Sequence, residues 1–153
     1  MARVSFDSNV LIYAADQNDR RQHRAIEVLD RAATGPGLLS LQALAEFFHV
    51  VTRRRIASRD LAEAQVEDWM KIFPIQRPDM ESLREAIGVA RRHAIPFWDA
   101  MLWATVKAGG CRFLLTEDLQ NGRDLEGVRL VNPFAPANDG LIDLILPAPP
   151  VSA

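Results

Sequence analysis

The sequence predicts an α/β protein in which helices cover both faces of a central, mostly parallel sheet. Short apolar runs that read as strands alternate along the chain with longer segments of helical spacing, and this alternation is the pattern of a parallel sheet with crossover helices. Nearly half of the 153 residues are apolar and a quarter are charged, the composition of an ordinary globular domain. That length suffices for one core without disulfides or structural metals.

The elements follow in order. "RVSF" (3–6) is a short first strand and "NVLIYAA" (9–15) a short helix. "DRRQHRAIEVLDRAA" (19–33) places Ile26, Leu29 and Ala33 at helical spacing, and "TGPG" ends it. "LLS" (38–40) is a second strand, followed at once by the helix "LQALAEFFHVVTRRR" (41–55). Asp60 is the expected N-cap of "LAEAQVEDWMKIF" (61–73), and Asp79 that of "MESLREAIGVARRHA" (80–94). Between them "FPIQRP" (73–78) has room for a short strand. "PFWDAMLWATVKAGG" (96–110) is a helix closed by paired glycines. The strand "CRFLL" (111–115), the polar turn "TEDLQNG" (116–122) and the strand "VRLVN" (128–132) complete the alternation. We therefore expect one domain over residues 1–133. Residues 134–153 form a proline-rich extension, too broken for a long helix, whose apolar "LIDLIL" should pack on that domain or on a neighbouring subunit.

Composition excludes several classes. The single cysteine, Cys111, has no internal partner, and no thiolate zinc site can be built around it. No leader pattern and no bilayer-length apolar run occur, so a cytoplasmic protein with no membrane association is expected. The net charge of −2 argues against a protein that merely coats nucleic acid. Basic residues are nevertheless grouped as Arg20, Arg21, His23 and Arg24, as Arg53 to Arg55, and as Arg91, Arg92 and His93. Each group is either a solvated helix end or a set of phosphate contacts. Trp69, Trp98 and Trp103 read as core.

Four acids carry the chemical question. In "VSFDSNVL", Asp7 ends the first strand, where it either caps the next helix or stands at the carboxyl edge at which open α/β sheets bind ligands. Glu46 lies on the polar side of its helix with Gln42, His49 and Arg53, opposite Leu41, Leu44, Phe47, Phe48 and Val51. Asp99 opens a helix that is apolar almost all round, either answering its dipole or facing the same sheet edge. After "CRFLL", Thr116 and Asp118 belong to a polar turn or repeat the position of Asp7, with Thr116 as a hydroxyl for a carboxylate or ligand. Were the four acids to converge, their repulsion would raise their pKa values and destabilise the fold. A divalent cation resolves that conflict, and oxygen ligands without His or Cys select Mg²⁺ or Mn²⁺.

An Asp-Ser-Asn after the first strand, a Glu in the long helix, an Asp opening an apolar helix and a Thr-x-Asp after the next strand resemble the PIN-domain nucleases. Within them the chain is similar to the VapC-type toxins of toxin–antitoxin pairs, from about Val4 to Asn132. The resemblance implies a three-layer α/β/α sandwich, Mg²⁺- or Mn²⁺-dependent endoribonuclease activity on an RNA substrate, and inhibition by a cognate antitoxin. Carried onto this chain, it makes Asp7, Glu46, Asp99 and Asp118 catalytic, Asp7, Asp99 and Asp118 the metal-side acids, and Asn9 and Thr116 the supporting polar residues. Asn9 would orient a carboxylate or a metal-bound water. A homodimer is the expected assembly. Two rival readings are a Mg²⁺-dependent phosphatase using Asp7 as nucleophile and a nonenzymatic RNA-binding protein of the same fold.

Overall fold

The computed structural model describes residues 1–150, so residues 151–153 of the expected extension lie outside the described chain. Four strands form the main sheet in the order β1-β4-β6-β5: β1 (Arg3–Phe6), β4 (Cys111–Leu115), β6 (Val128–Val131) and β5 (Asp124–Leu125). The β1, β4 and β6 strands are parallel, and β5 turns back antiparallel on β6. A second, two-stranded parallel sheet joins β2 (Leu39–Ser40) to β3 (Ile75–Gln76). It lies against β1, because Val4 N–H donates to the Pro36 carbonyl at 3.0 Å and Leu38 N–H to that of Val4 at 3.0 Å.

Helices cover both faces, making three layers. On one face α1 (Ser8–Ala15), α2 (Gln22–Ala33), α3 (Leu41–Arg53) and α4 (Arg59–Ile72) bury Val10, Leu29, Phe47 and Trp69 against Val4, Phe6 and Leu115. On the other, α5 (Met80–His93) and α6 (Phe97–Ala108) bury Val89 and Trp103 against Leu114 and Leu130. The two-residue period of β4 makes this possible, since Leu114 serves one core and Leu115 the other. Trp103 also satisfies its indole by donating to the Leu125 carbonyl at 2.8 Å. The short α7 (Asp139–Ile145) follows a 3-10 turn (Pro136–Asn138), and Ile142, Ile145 and Leu146 are buried in the first of these cores. Among the described residues no helix is long and apolar enough to cross a membrane.

Several local expectations are corrected. The buried face of α2 is Ala25, Val28, Leu29 and Ala32, while Ile26 is 40% exposed. In α3 the buried residues include Ala43 and exclude Leu41, which is exposed. Trp98 is 66% exposed, not core, because it precedes the buried stretch of α6. Strand β5 was not anticipated. Its reversal into β6 uses Glu126 and Gly127 with φ of 46° and 97°, a two-residue hairpin turn.

The α4 helix is capped by Ser58, whose hydroxyl accepts from Leu61 N–H at 3.2 Å, and Asp60 falls in the first turn instead. Ser58→Ala should therefore cost about 1 kcal/mol, or about 3 °C in melting temperature. Asp60→Asn, which loses only a favourable charge near the helix start, should cost less. Paired thermal melts in which the Asp60 variant lost more would return the cap to Asp60.

Candidate active site

The parallel pairing of β1 with β4 brings two polar turns to one edge. Asp7 N–H donates to the Leu115 carbonyl at 2.9 Å, and Thr116 N–H to that of Val131 at 2.9 Å, so both chains leave the sheet together. Asp7 then caps α1. Its Oδ1 accepts from Ser8 N–H at 2.7 Å and its Oδ2 from the Thr116 hydroxyl at 2.8 Å. Thr116 Oγ1 in turn accepts from Asp118 N–H at 3.2 Å, which folds the turn so that Asp118 stands beside Asp7.

Two elements on the other side supply the remaining acids. The Ser8 hydroxyl donates to Glu46 Oε2 at 2.7 Å, which ties the start of α1 to the middle of α3. Gln42, one turn earlier in α3, donates from Nε2 to Glu46 Oε1 at 2.8 Å and to the Trp98 carbonyl at 3.0 Å. The first turn of α6, which carries Asp99, is thereby held against α3. A continuous chain of hydrogen bonds thus runs from Asp118 through Thr116, Asp7, Ser8, Glu46 and Gln42 to the residue preceding Asp99.

Electrostatics record the crowding. Burial raises the Asp7 pKa from 3.8 to about 6. The bonds from Thr116 and Ser8 oppose that rise, and the charges of Asp99 and Asp118 reinforce it. The Asp99 carboxyl is also pushed up, first by burial and then by the charges of Asp118 and Glu46. Among the described residues, however, no three His, Cys, Asp or Glu side chains stand close enough together to hold a metal ion between them. This is an open, oxygen-lined edge where negative charge accumulates.

That donor set fits a hard divalent cation, because Mg²⁺ is typically held by one or two carboxylates and keeps several waters. Asn9 provides a second sign of an absent polar partner. Its side-chain oxygen and nitrogen are both buried without a hydrogen bond, and it reaches no carboxylate. A buried amide in that state is costly unless something else satisfies it. With Asp118, Ser8, Ile12, Tyr13, Val50 and Arg54 it lines a cleft of about 300 Å³.

The sequence alone assigns Ser8 no role of its own, and it sets Gln42 on the face of Glu46 without showing that the two are bonded. The spacing of four residues in one helix was the available signal for the latter. Glu117, next to Asp118, points elsewhere. It accepts from the Tyr13 hydroxyl at 2.8 Å and from Arg21 at 2.6 Å. It also lines a larger cavity of about 620 Å³, together with Arg20, Arg21, Arg24, Asn132, Pro133, Phe134, Pro136 and Asp139.

A family model described as the PIN domain matches residues 4–121 of this chain. Among solved structures, DNA-bound VapBC from Salmonella typhimurium is similar at 14% identity and a TM-score of 0.65, covering 87% of this chain and 99% of that one. A toxin–antitoxin complex from Klebsiella pneumoniae is similar at 20% identity and a TM-score of 0.61, covering 86% and 98%. VapC20 of Mycobacterium tuberculosis, a sarcin-ricin loop cleaving toxin, is similar at 18% identity and a TM-score of 0.62, covering 75% and 89%. No curated protein sequence matches significantly.

Proposed function

Because the chain belongs to the PIN domain family, we propose that it is a divalent-metal-dependent endoribonuclease, the toxin of a cytoplasmic toxin–antitoxin pair restrained by a cognate antitoxin. One observation carries this reading: the hydrogen-bonded chain that links Asp7, Glu46 and Asp118 and ends beside Asp99. The structural neighbours from toxin–antitoxin complexes support the partner.

Asp7, Asp99 and Asp118 would hold Mg²⁺ or Mn²⁺, which when bound supplies water activation and stabilises negative charge building on a phosphodiester. The chain's own groups do the rest. Ser8 N–H and the Thr116 hydroxyl fix the two oxygens of Asp7, so the carboxylate keeps one orientation. Glu46, held at both oxygens by Ser8 and Gln42, takes the proton of the attacking water. Asn9 offers its unpartnered amide to the water shell of the site. Two copies pair through the apolar face that Leu83, Ile87, Phe97 and Trp98 expose on α5 and α6.

The test is incubation with single-stranded RNA in Mn²⁺ and in EDTA. Internal cleavage that needs Mn²⁺ is the expected result. Release of phosphate from a monoester alone would make the protein a phosphatase, and binding without cleavage would make it a scaffold. Either outcome overturns the proposal.

A further inference from the structure

We propose that a single RNA strand lies across a ridge formed by Tyr13 and Glu117, with Arg54 gripping a phosphate beside the acids and Arg20 gripping one further along. The inference rests on the ribonuclease reading and names the groups that hold its substrate.

Four of the ten clustered basic residues are already engaged. Arg92 and His93 are bound to Glu126, and Arg123 donates to His93. Arg21 pairs with Asp19 and Glu117, and Arg24 with Glu27, Asp139 and the Pro133 carbonyl. Arg20 and Arg54 have no carboxylate within ion-pair distance among the described residues, and each lines a cavity. Arg53, Arg55 and Arg91 line neither of these two.

The two cavities share a wall. Tyr13 lines the cleft of Asp118, Asn9 and Arg54, and its hydroxyl is bonded to Glu117, which lines the cavity of Arg20. This bonded pair joins the two linings. It is also braced, because the Arg21 guanidinium lies 3.7 Å from the Tyr13 ring centre and Phe134 meets that ring edge-on at 5.4 Å. A flexible single strand can step over such a ridge, whereas a rigid duplex cannot enter both clefts. In the first cleft an RNA phosphate meets Asp118, so the cation of Arg54 is needed to offset that repulsion. The unpartnered Asn9 amide in the same cleft marks independently a polar group still to be satisfied. In the second cavity, Phe134, Pro133 and Pro136 give an apolar floor on which an unstacked base or ribose can rest.

The test measures binding of fluorescein-labelled uridylate, as a trinucleotide and as a dodecanucleotide, to the full chain in EDTA over a salt series. Arg54→Gln should weaken binding of both lengths several-fold. Arg20→Gln should weaken only the dodecanucleotide. For the dodecanucleotide each change should lower the slope of log affinity against log salt by about 0.7, and Arg91→Gln should change neither length. Unchanged slopes in both variants, or no binding by the wild type, would overturn the track. Equal competition by polyglutamate would assign the clefts to an acidic peptide instead. Cleavage by the wild type in Mn²⁺, run in parallel, separates the two ideas: RNA cut with unchanged slopes removes only the track, and RNA left uncut removes the nuclease reading beneath it.

Discussion

Asp7→Asn should make the metal-free protein more stable above pH 6. In the folded state the Asp7 carboxyl is raised from 3.8 to about 6 by burial, so between those values the native state holds a proton that the unfolded chain has released. The native form with Asp7 protonated is therefore favoured at low pH, and that stability is lost as pH rises through the folded value. Converted directly, the shift corresponds to roughly 3 kcal/mol at neutral pH and above. Asparagine keeps the oxygen that accepts from Ser8 N–H and carries no charge, so it removes this penalty. It sacrifices the bond from Thr116, and the net gain should be smaller than the full figure.

The difference between variant and wild type is the quantity to follow, because Asp19 contributes with the opposite sign. The Arg21 guanidinium lowers its pKa to about 2, so its share of stability is lost on acidification. Melting curves in EDTA should show variant and wild type converging near pH 4 and separating by several degrees near pH 8. Saturating Mn²⁺ should then raise the wild type, by roughly 2.7 kcal/mol at a hundredfold excess over Kd. The variant should lose most of that rise. A variant less stable than wild type at high pH, with the full Mn²⁺ effect intact, would make Asp7 a structural cap and no more.

Asp99→Asn and Glu46→Gln are each expected to lower RNA cleavage by about 100-fold or more while the fold persists. Replacing groups that merely support a metal ligand already costs about 10- to 100-fold, so losing a ligand or the proton acceptor should cost at least as much. Both changes preserve volume, and the first relieves repulsion from Asp118 and Glu46. Gln42→Ala should lie between these variants and the wild type, about 10-fold down, because it frees Glu46 at one oxygen while Ser8 still holds the other. Initial cleavage rates in Mn²⁺ decide the matter when circular dichroism shows each variant folded. Wild-type rates in both Asp99→Asn and Glu46→Gln would remove these residues from the chemistry.

The alternation of elements was legible because strand and helix periods differ, and parallel strands bring Asp7 and Thr116 to one edge by necessity. Other details depend on the third dimension. The α2 face was displaced by one residue because Ala25 and Ala32 carry a weak apolar signal, although both are buried. The β5 hairpin escaped because Glu126-Gly127 lacks the Asn or Asp that usually marks such a turn. The helical pattern alone puts Glu46 only on a polar face, since nothing in its own helix reveals that Ser8, from another element, reaches its carboxylate. Trp98 read as core from its neighbours, yet the helix start it occupies faces outward.

The register of the main sheet bears on how the protein is made. Its β4 strand pairs with β1 through partners as remote as Arg3 and Cys111, and it lies between β1 and β6. During synthesis Asp7, Glu46 and Asp99 leave the ribosome before the strand that brings Thr116 and Asp118 to the edge of Asp7. A nascent chain therefore carries Asp7, Glu46 and Asp99 without the Thr116 hydroxyl or Asp118, and pairing so distant in sequence closes slowly. On the nuclease reading, a chain built in this order lacks its full set of acids until nearly its whole length has emerged.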